Sequence, residues 1–243
     1  MTMLTLRSNL FTFLYMLTGI VYGTLSLLIC WLPKRLRHRL IVSWTALSML
    51  LLRLCCGVRY QVKGLHHIRD AKQPLVIMSK HQSTWETLFL QRACFPASTV
   101  LKKELLKIPF FGWGLSMLSP IAIDRSNPRE AIKQIKAGAN KRLQQGYHVI
   151  IFPEGTRVKP GEKNKYARGG ADIAISSGSD IVPVALNSGQ FWPTDSKQKI
   201  PGVIQVVIGP PISSAGKNSK SLTDEVEHWI ETQMLELHPT ATS

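Results

Sequence analysis

Acidic residues are scarce in this chain. Fifteen Asp and Glu stand against thirty Lys and Arg over 243 residues, a formal net charge of +15. That imbalance favours anionic partners: nucleic acid, anionic lipid headgroups or phosphate-bearing substrates. The basic residues are scattered rather than gathered in one tail, which argues against a disordered nucleic-acid-binding arm. No nucleic-acid-binding motif accompanies them. Cysteine is scarce too. Cys30, Cys55, Cys56 and Cys94 form no CxxC pair, so a disulfide framework or a zinc site is not indicated. Three of the four lie in or beside apolar runs and read as buried thiols. Internal repeats and low-complexity segments are absent. The length suits one domain with a full core plus a short additional segment.

Charge is missing altogether from Leu10 to Leu32, a run of 23 residues flanked by Arg7 and by Lys34, Arg35, Arg37 and Arg39. About 20 apolar residues are enough for a helix to cross a hydrocarbon core. A second run, Leu40 to Leu52, has 13 residues before Arg53 and resumes to Val58. That is short for a crossing and suits an interfacial or re-entrant helix, or one packed against the first. A cleaved signal peptide fits poorly, because Trp31, Leu32, Pro33 and the basic cluster follow the run instead of a small-residue cleavage site. The cluster predicts a cytoplasmic face, by the positive-inside bias or by gripping anionic lipids directly. Residues 1–58 are therefore expected to form a membrane-anchoring two-helix segment, spanning or lying in one leaflet, ahead of an α/β domain over 59–243.

From about Gly57 the pattern alternates. Strands are expected at 74–79, 98–101, 121–123, 148–152, 181–186 and 203–208. Helices are expected at 83–94, at 128–146 (opened by Pro128 and closed by Gly146), at 169–177 and at 221–237. Strand–helix alternation implies a mostly parallel sheet flanked by helices. In such sheets chemistry gathers in the loops at the carboxyl ends of strands. Pro183, inside an apparent strand, implies an edge or a bulge.

One such loop holds His81, with Glu86 in the first turn of the following helix. A carboxylate bonded to one imidazole nitrogen fixes the tautomer and stabilises the cation formed when the other nitrogen takes a proton. The attacking nucleophile can then be a substrate hydroxyl. A structural reading stands beside this one: Ser83-Thr84-Trp85-Glu86 matches a capping box, with Glu86 satisfying a backbone N–H and His81 an ordinary loop residue.

His81 followed by four residues and an acid, then Asp124-Arg125, then Phe152-Pro153-Glu154-Gly155-Thr156-Arg157, then Ile181-Val182-Pro183-Val184, resembles the glycerolipid acyltransferases in order and spacing. Together the blocks cover about residues 74–190. The family's usual acid after the four-residue gap is aspartate; here it is Glu86. The resemblance implies transfer of a fatty acyl group from acyl-coenzyme A or an acyl carrier protein to the sn-2 hydroxyl of lysophosphatidic acid, on the cytoplasmic face of the inner membrane. It implies no metal or bound cofactor. It places the acceptor's phosphate on Arg125 and on Glu154, Gly155, Thr156 and Arg157. Two guanidiniums can fork onto a phosphate, Gly155 allows close backbone approach, and Glu154 is expected to hold Arg157 or the loop. Lys102 matches a family lysine and contacts phosphate or oxyanion, or is a solvated surface residue. The Ile181–Val184 block is placed near the donor or catalytic pocket. Leu105 to Trp113 reads either as core or as an interfacial segment. Two further functions stay open: the same chemistry on another lysolipid, and a non-catalytic lipid-binding protein.

Overall fold

The computed structural model describes residues 2–124 and 128–237. Two long helices come first, α1 (Met3–Leu28) and α2 (Lys34–Cys56), followed by β1 (Val58–Lys63) and a single-turn helix α3 (His66–Arg69). Then come β2 (Val76–Ser79), α4 (Trp85–Ala93), β3 (Ala97–Lys102), α5 (Phe111–Ser116), β4 (Ile121–Ile123), α6 (Pro128–Gln144) and β5 (His148–Ile151). The chain closes with α7 (Gly169–Ser177), β6 (Ile181–Leu186), β7 (Gly202–Ile208) and α8 (Ser219–Leu237).

The seven strands form one sheet in the order β1-β7-β6-β2-β5-β3-β4. Neighbours are parallel except β6 and β7, so the sheet is mostly parallel, with β1 and β7 running against the other five. Strands β2 and β6 are buried along their whole length. Both lie inside the sheet with helices on either face, which is why they read as unbroken apolar runs rather than alternating ones. Alternation survives in which layer each residue serves. Ile77 joins α2 and α4 through Met49, Leu52, Trp85, Phe89 and Leu90. Val76 and Met78 join α6, α7 and α8 through Ala139, Leu143, Ala171, Ala174, Val226 and Ile230.

Pro183 is buried, and its strand is internal rather than an edge. The irregularity is a bulge. Val184 pairs with Ile208 and Ile181 with Ile212, so three steps of β6 face four of the return segment. The Pro183 carbonyl accepts from Gly209 N at 2.9 Å on that same side, so the missing N–H falls where the ladder is already interrupted.

The second apolar run proves to be part of a helix of 23 residues that starts at Lys34. Its buried face, including Ile41, Trp44, Thr45, Met49 and Leu52, packs on α1 and α4. Helix α1 docks through small residues and aromatics. Ser8 Oγ accepts from Lys199 N at 2.8 Å, and Phe11 meets Trp192 edge-on at 5.2 Å. At Gly23 the backbone of Phe110 comes so close that a Cβ would lie 2.3 Å from its carbonyl oxygen. The other face of α1 exposes Met3, Leu6, Leu10, Phe13, Leu17, Ile20 and Leu28 at helical spacing. A contiguous apolar stripe of that size is a surface for association. Both helices are long and apolar enough to cross a membrane by length and composition. The segment from Leu105 to Trp113 forms a 3-10 turn (Lys103–Lys107) and the start of α5. It exposes Leu105, Ile108 and Phe111 while α5 packs against α1.

Candidate active site

Three adjacent parallel strands, β6, β2 and β5, end side by side. The loops that leave them carry Ser188, His81 and Phe152–Arg157. His81 and Glu86 are joined by one turn of chain. His81 Nδ1 lies 2.9 Å from Glu86 Oε1. The carboxylate is fully buried and receives five donors. Oε1 accepts from His81 and from the N–H groups of Gln82 and Ser83 at 2.7 and 2.6 Å. Oε2 accepts from the hydroxyls of Ser83 and Ser188 at 2.9 and 2.7 Å. Ser83 Oγ in turn accepts from Trp85 N at 2.9 Å. The capping reading and the tautomer-fixing reading therefore hold at once, on the same carboxylate. Glutamate is long enough to reach the ring from the first turn of α4.

Burial alone would raise the Glu86 carboxyl. Bonds from His81, Ser188 and the Ser83 N–H outweigh it and hold the group below the usual carboxylate range. An ionised carboxylate only accepts, so Nδ1 carries the hydrogen and the lone pair of the neutral ring is on Nε2. The imidazole is stacked on Phe152, centroids 4.0 Å apart and planes 20° apart. Its backbone is pinned on both sides: Val158 N donates to His81 O at 2.8 Å, and His81 N donates to Glu154 Oε2 at 3.0 Å. The side chain keeps 13% of its surface exposed, enough for a substrate hydroxyl to reach.

Glu154, expected from the sequence to hold Arg157 or the loop, has these partners among the described residues. They are His81 N, the ammonium of Lys80, 2.7 Å from Oε1, and the backbone N–H of Asn164. Lys80 is a buried cation at the very end of β2, 1% exposed, and it also reaches Glu231 Oε1 on α8 at 3.0 Å. Gly155, Thr156 and Arg157 are exposed around a turn in which Gly155 N donates to Phe152 O at 3.0 Å. Gly155 has φ +71°, and a Cβ at this position would meet nothing within 4 Å. Backbone conformation rather than crowding selects glycine there. Lys102 stands at the end of β3, half-exposed, with Nζ 3.9 Å from Glu104 Oε2; no hydrogen bond among the described residues links it to the His81 cluster. Arg125 lies outside the described residues. Among the described residues, no group of three or more His, Cys, Asp and Glu is placed to hold a metal ion.

Sequence reasoning missed Lys80, Ser188, Glu231 and Tyr166, whose hydroxyl donates to Glu231 Oε1 at 2.9 Å. Only Lys80 carried a signal: a charge attached to the end of an apolar strand, next to the candidate base.

A family model described as Acyltransferase matches residues 59–187, from β1 to the end of β6. The chain belongs to that family. His81, Glu86, Lys102, Arg125 and Glu154–Arg157 fall inside the matched segment; Ser188 and Glu231 lie beyond it. The 1-acyl-sn-glycerol-3-phosphate acyltransferase of Pseudomonas aeruginosa is 44% identical, with 98% of this chain and 94% of that protein covered. The alpha form of the enzyme from Homo sapiens is 31% identical, over 79% of this chain and 69% of its own. The crystal structure of the 1-acyl-sn-glycerophosphate acyltransferase from Thermotoga maritima superposes with a TM-score of 0.80, covering 98% of this chain and 97% of that one at 22% identity. The whole arrangement of this acyltransferase, two N-terminal helices included, is thus shared by a solved fold.

Proposed function

We propose that this acyltransferase moves a fatty acyl group from acyl-coenzyme A or an acyl carrier protein to the sn-2 hydroxyl of 1-acyl-glycerol-3-phosphate, making phosphatidic acid. The observation that carries the reading is the buried carboxylate of Glu86 bonded to His81 Nδ1, which leaves Nε2 as a base at the surface of the site. The names of the relatives supply the substrate. His81 Nε2 takes the hydroxyl proton, the oxygen attacks the thioester carbonyl, and the tetrahedral intermediate expels the thiolate, which recovers the proton from His81. Glu86 faces the transient imidazolium without taking its proton. Arg125 and Arg157 hold the acceptor's phosphate, with Gly155 and Thr156 offering backbone and hydroxyl donors. Lys102 is a further candidate for charge on phosphate or oxyanion. No metal or bound cofactor is required, because the thioester is already activated. The domain works on the cytoplasmic face of the inner membrane, against anionic lipid, where the lysolipid is delivered. The apolar stripe of α1 and the basic start of α2 support that reading.

The test is acyl transfer by detergent-solubilised protein from radiolabelled acyl-coenzyme A to 1-acyl-glycerol-3-phosphate, beside His81→Ala checked for folding by thermal melt. A loss of about a hundredfold or more in the folded variant is expected for removal of a general base. Near-wild-type turnover by His81→Ala would sink the mechanism. Wild-type silence with either donor would sink the substrate assignment.

A further inference from the structure

Lys80 is a feature of the loop that base chemistry leaves unexplained. A lysine almost never buries its ammonium without partners. Here the ammonium has three: Glu154 Oε1 at 2.7 Å, Glu231 Oε1 at 3.0 Å and the carbonyl of Glu162 at 3.4 Å. Lysine has three N–H donors, so its whole capacity is directed into this cluster. Glu231 is itself fixed by the Tyr166 hydroxyl at 2.9 Å. The far oxygen of Glu154 takes the peptide N–H of His81 at 3.0 Å. A continuous chain of polar contacts thus runs from Tyr166 and α8 through Glu231, Lys80 and Glu154 to the backbone of the base.

Glu154 is held in part by the backbone N–H of Asn164, but the buried ammonium still competes for both of its oxygens. A second carboxylate on the ammonium divides its donors between two acceptors and leaves Glu154 Oε2 for His81. Helix α8 is itself rigidly set, with Leu222, Val226 and Ile230 fully buried against the sheet, so Glu231 is held by the core rather than by a loop. Such support is what keeps a reacting nitrogen within fractions of an ångström of its productive position.

We propose that Glu231 is a positioning residue for His81, acting through Lys80 and Glu154 on the catalytic loop; this rests on the reading of His81 as the base. Glu231 lies outside the segment that matches the family model, and its hydrogen bonds among the described residues are to Lys80 and Tyr166 rather than to the imidazole or Glu86.

The experiment compares wild type, Glu231→Ala and Glu227→Ala as full-length, detergent-solubilised protein. Glu227 is one turn away on α8, in an exposed ion pair with Lys163 at 3.4 Å. Hydrogen exchange is followed in peptides covering residues 79–86, and kcat and KM are measured for acyl transfer. In folded Glu231→Ala, exchange at 79–86 is expected to quicken about tenfold and kcat to fall about tenfold, while Glu227→Ala changes neither. Wild-type exchange at 79–86 in Glu231→Ala overturns the proposal, whatever the activity. Faster exchange with unchanged kcat overturns it as well. Faster exchange in a protein whose wild type transfers no acyl group supports the brace and removes the proposed substrate instead. If Glu231→Ala does not fold, Tyr166→Phe, which loses a single oxygen, decides. A fall in kcat of about threefold with quicker exchange at 79–86 supports the proposal; wild-type values on both overturn it.

Discussion

Replacing Glu86 by Gln removes one charge while keeping the shape of the side chain, and the structure predicts what each part of that change costs. The five donors around the carboxylate need not all be lost. With the amide oxygen in the place of Oε1, His81 Nδ1 and the N–H groups of Gln82 and Ser83 keep their acceptor. The amide nitrogen then faces the hydroxyls of Ser83 and Ser188, which can rotate from donating to accepting. The loss is the charge assistance of these bonds, about 1–3 kcal/mol of stability. Catalysis loses more. When Nε2 takes a proton, the imidazolium is attracted to Glu86 by about 4 kcal/mol, for charge centres about 4 Å apart at an effective dielectric near 20. The glutamine dipole keeps part of that, which leaves about 3 kcal/mol, a fall in kcat of about 100-fold.

Single-turnover transfer from a labelled acyl thioester at saturating acceptor reads the chemical step without product release, and a thermal melt confirms folding. A folded Glu86→Gln protein that reacts within threefold of wild type would refute the counter-ion argument, leaving Glu86 as a cap alone. Glu86→Asp is the informative partner. It keeps the charge but draws it back by one methylene, so the carboxylate cannot serve Gln82 N, Ser83 N and His81 together. An intermediate loss of about tenfold is expected.

Arg157→Lys is expected to raise KM for the lysolipid about tenfold with little change in kcat, since a lysine cannot fork onto phosphate; steady-state kinetics with the acceptor varied decides. Gly23→Ala places a methyl 2.3 Å from the Phe110 carbonyl oxygen and is expected to cost about 1–3 kcal/mol, read as a lower Tm. Acid should destabilise the fold through His148, whose Nδ1 accepts from Leu75 N at 3.0 Å and whose pKa burial holds below the ordinary value. As pH falls through about 6.5, the unfolded chain binds a proton that the folded ring refuses, so stability drops until the lower folded pKa is reached. Melts at pH 7.5 and 5.5 should differ less in His148→Gln, which retains an acceptor without titrating there.

The strands and helices of the α/β layer are largely legible in the sequence, because their signals are local. The apolar run at 75–78 is what a strand buried on both faces must look like, and Pro128 and Gly146 punctuate α6 from within its own sequence. Strand β1 carries less signal: only Val58 among Val58–Lys63 is fully buried, so no two-sided apolar run marks it. The length of α2 is obscured in the same way. Its first turn, Lys34-Arg35-Leu36-Arg37, is polar, and hydropathy reads only the part that is greasy. Pro183 can be read as an edge or a bulge from its missing N–H, but choosing between them needs the partner strand. Ser188 is invisible: its value lies in its distance from Glu86, 102 residues away along the chain.

At Glu86 the sequence posed a choice between a helix cap and an acid behind a base, and the choice was a false one for a physical reason. A carboxylate has two oxygens and room for about four or more donors. At the start of a helix, the N–H groups that need capping lie within one turn of a loop residue five positions earlier. Oε1 can therefore satisfy Gln82 N, Ser83 N and His81 Nδ1 from one position, and the backbone bonds fix the oxygen that the imidazole needs. Capping here is the means by which the base is oriented. It follows that Ser188→Ala, which removes a donor from Oε2, and Ser83→Ala, which also takes the acceptor from Trp85 N, should lower turnover less than Glu86→Gln even where they cost comparable stability. Equal losses of kcat across the three folded variants would show that the whole loop, rather than the Oε1 bond, sets the rate.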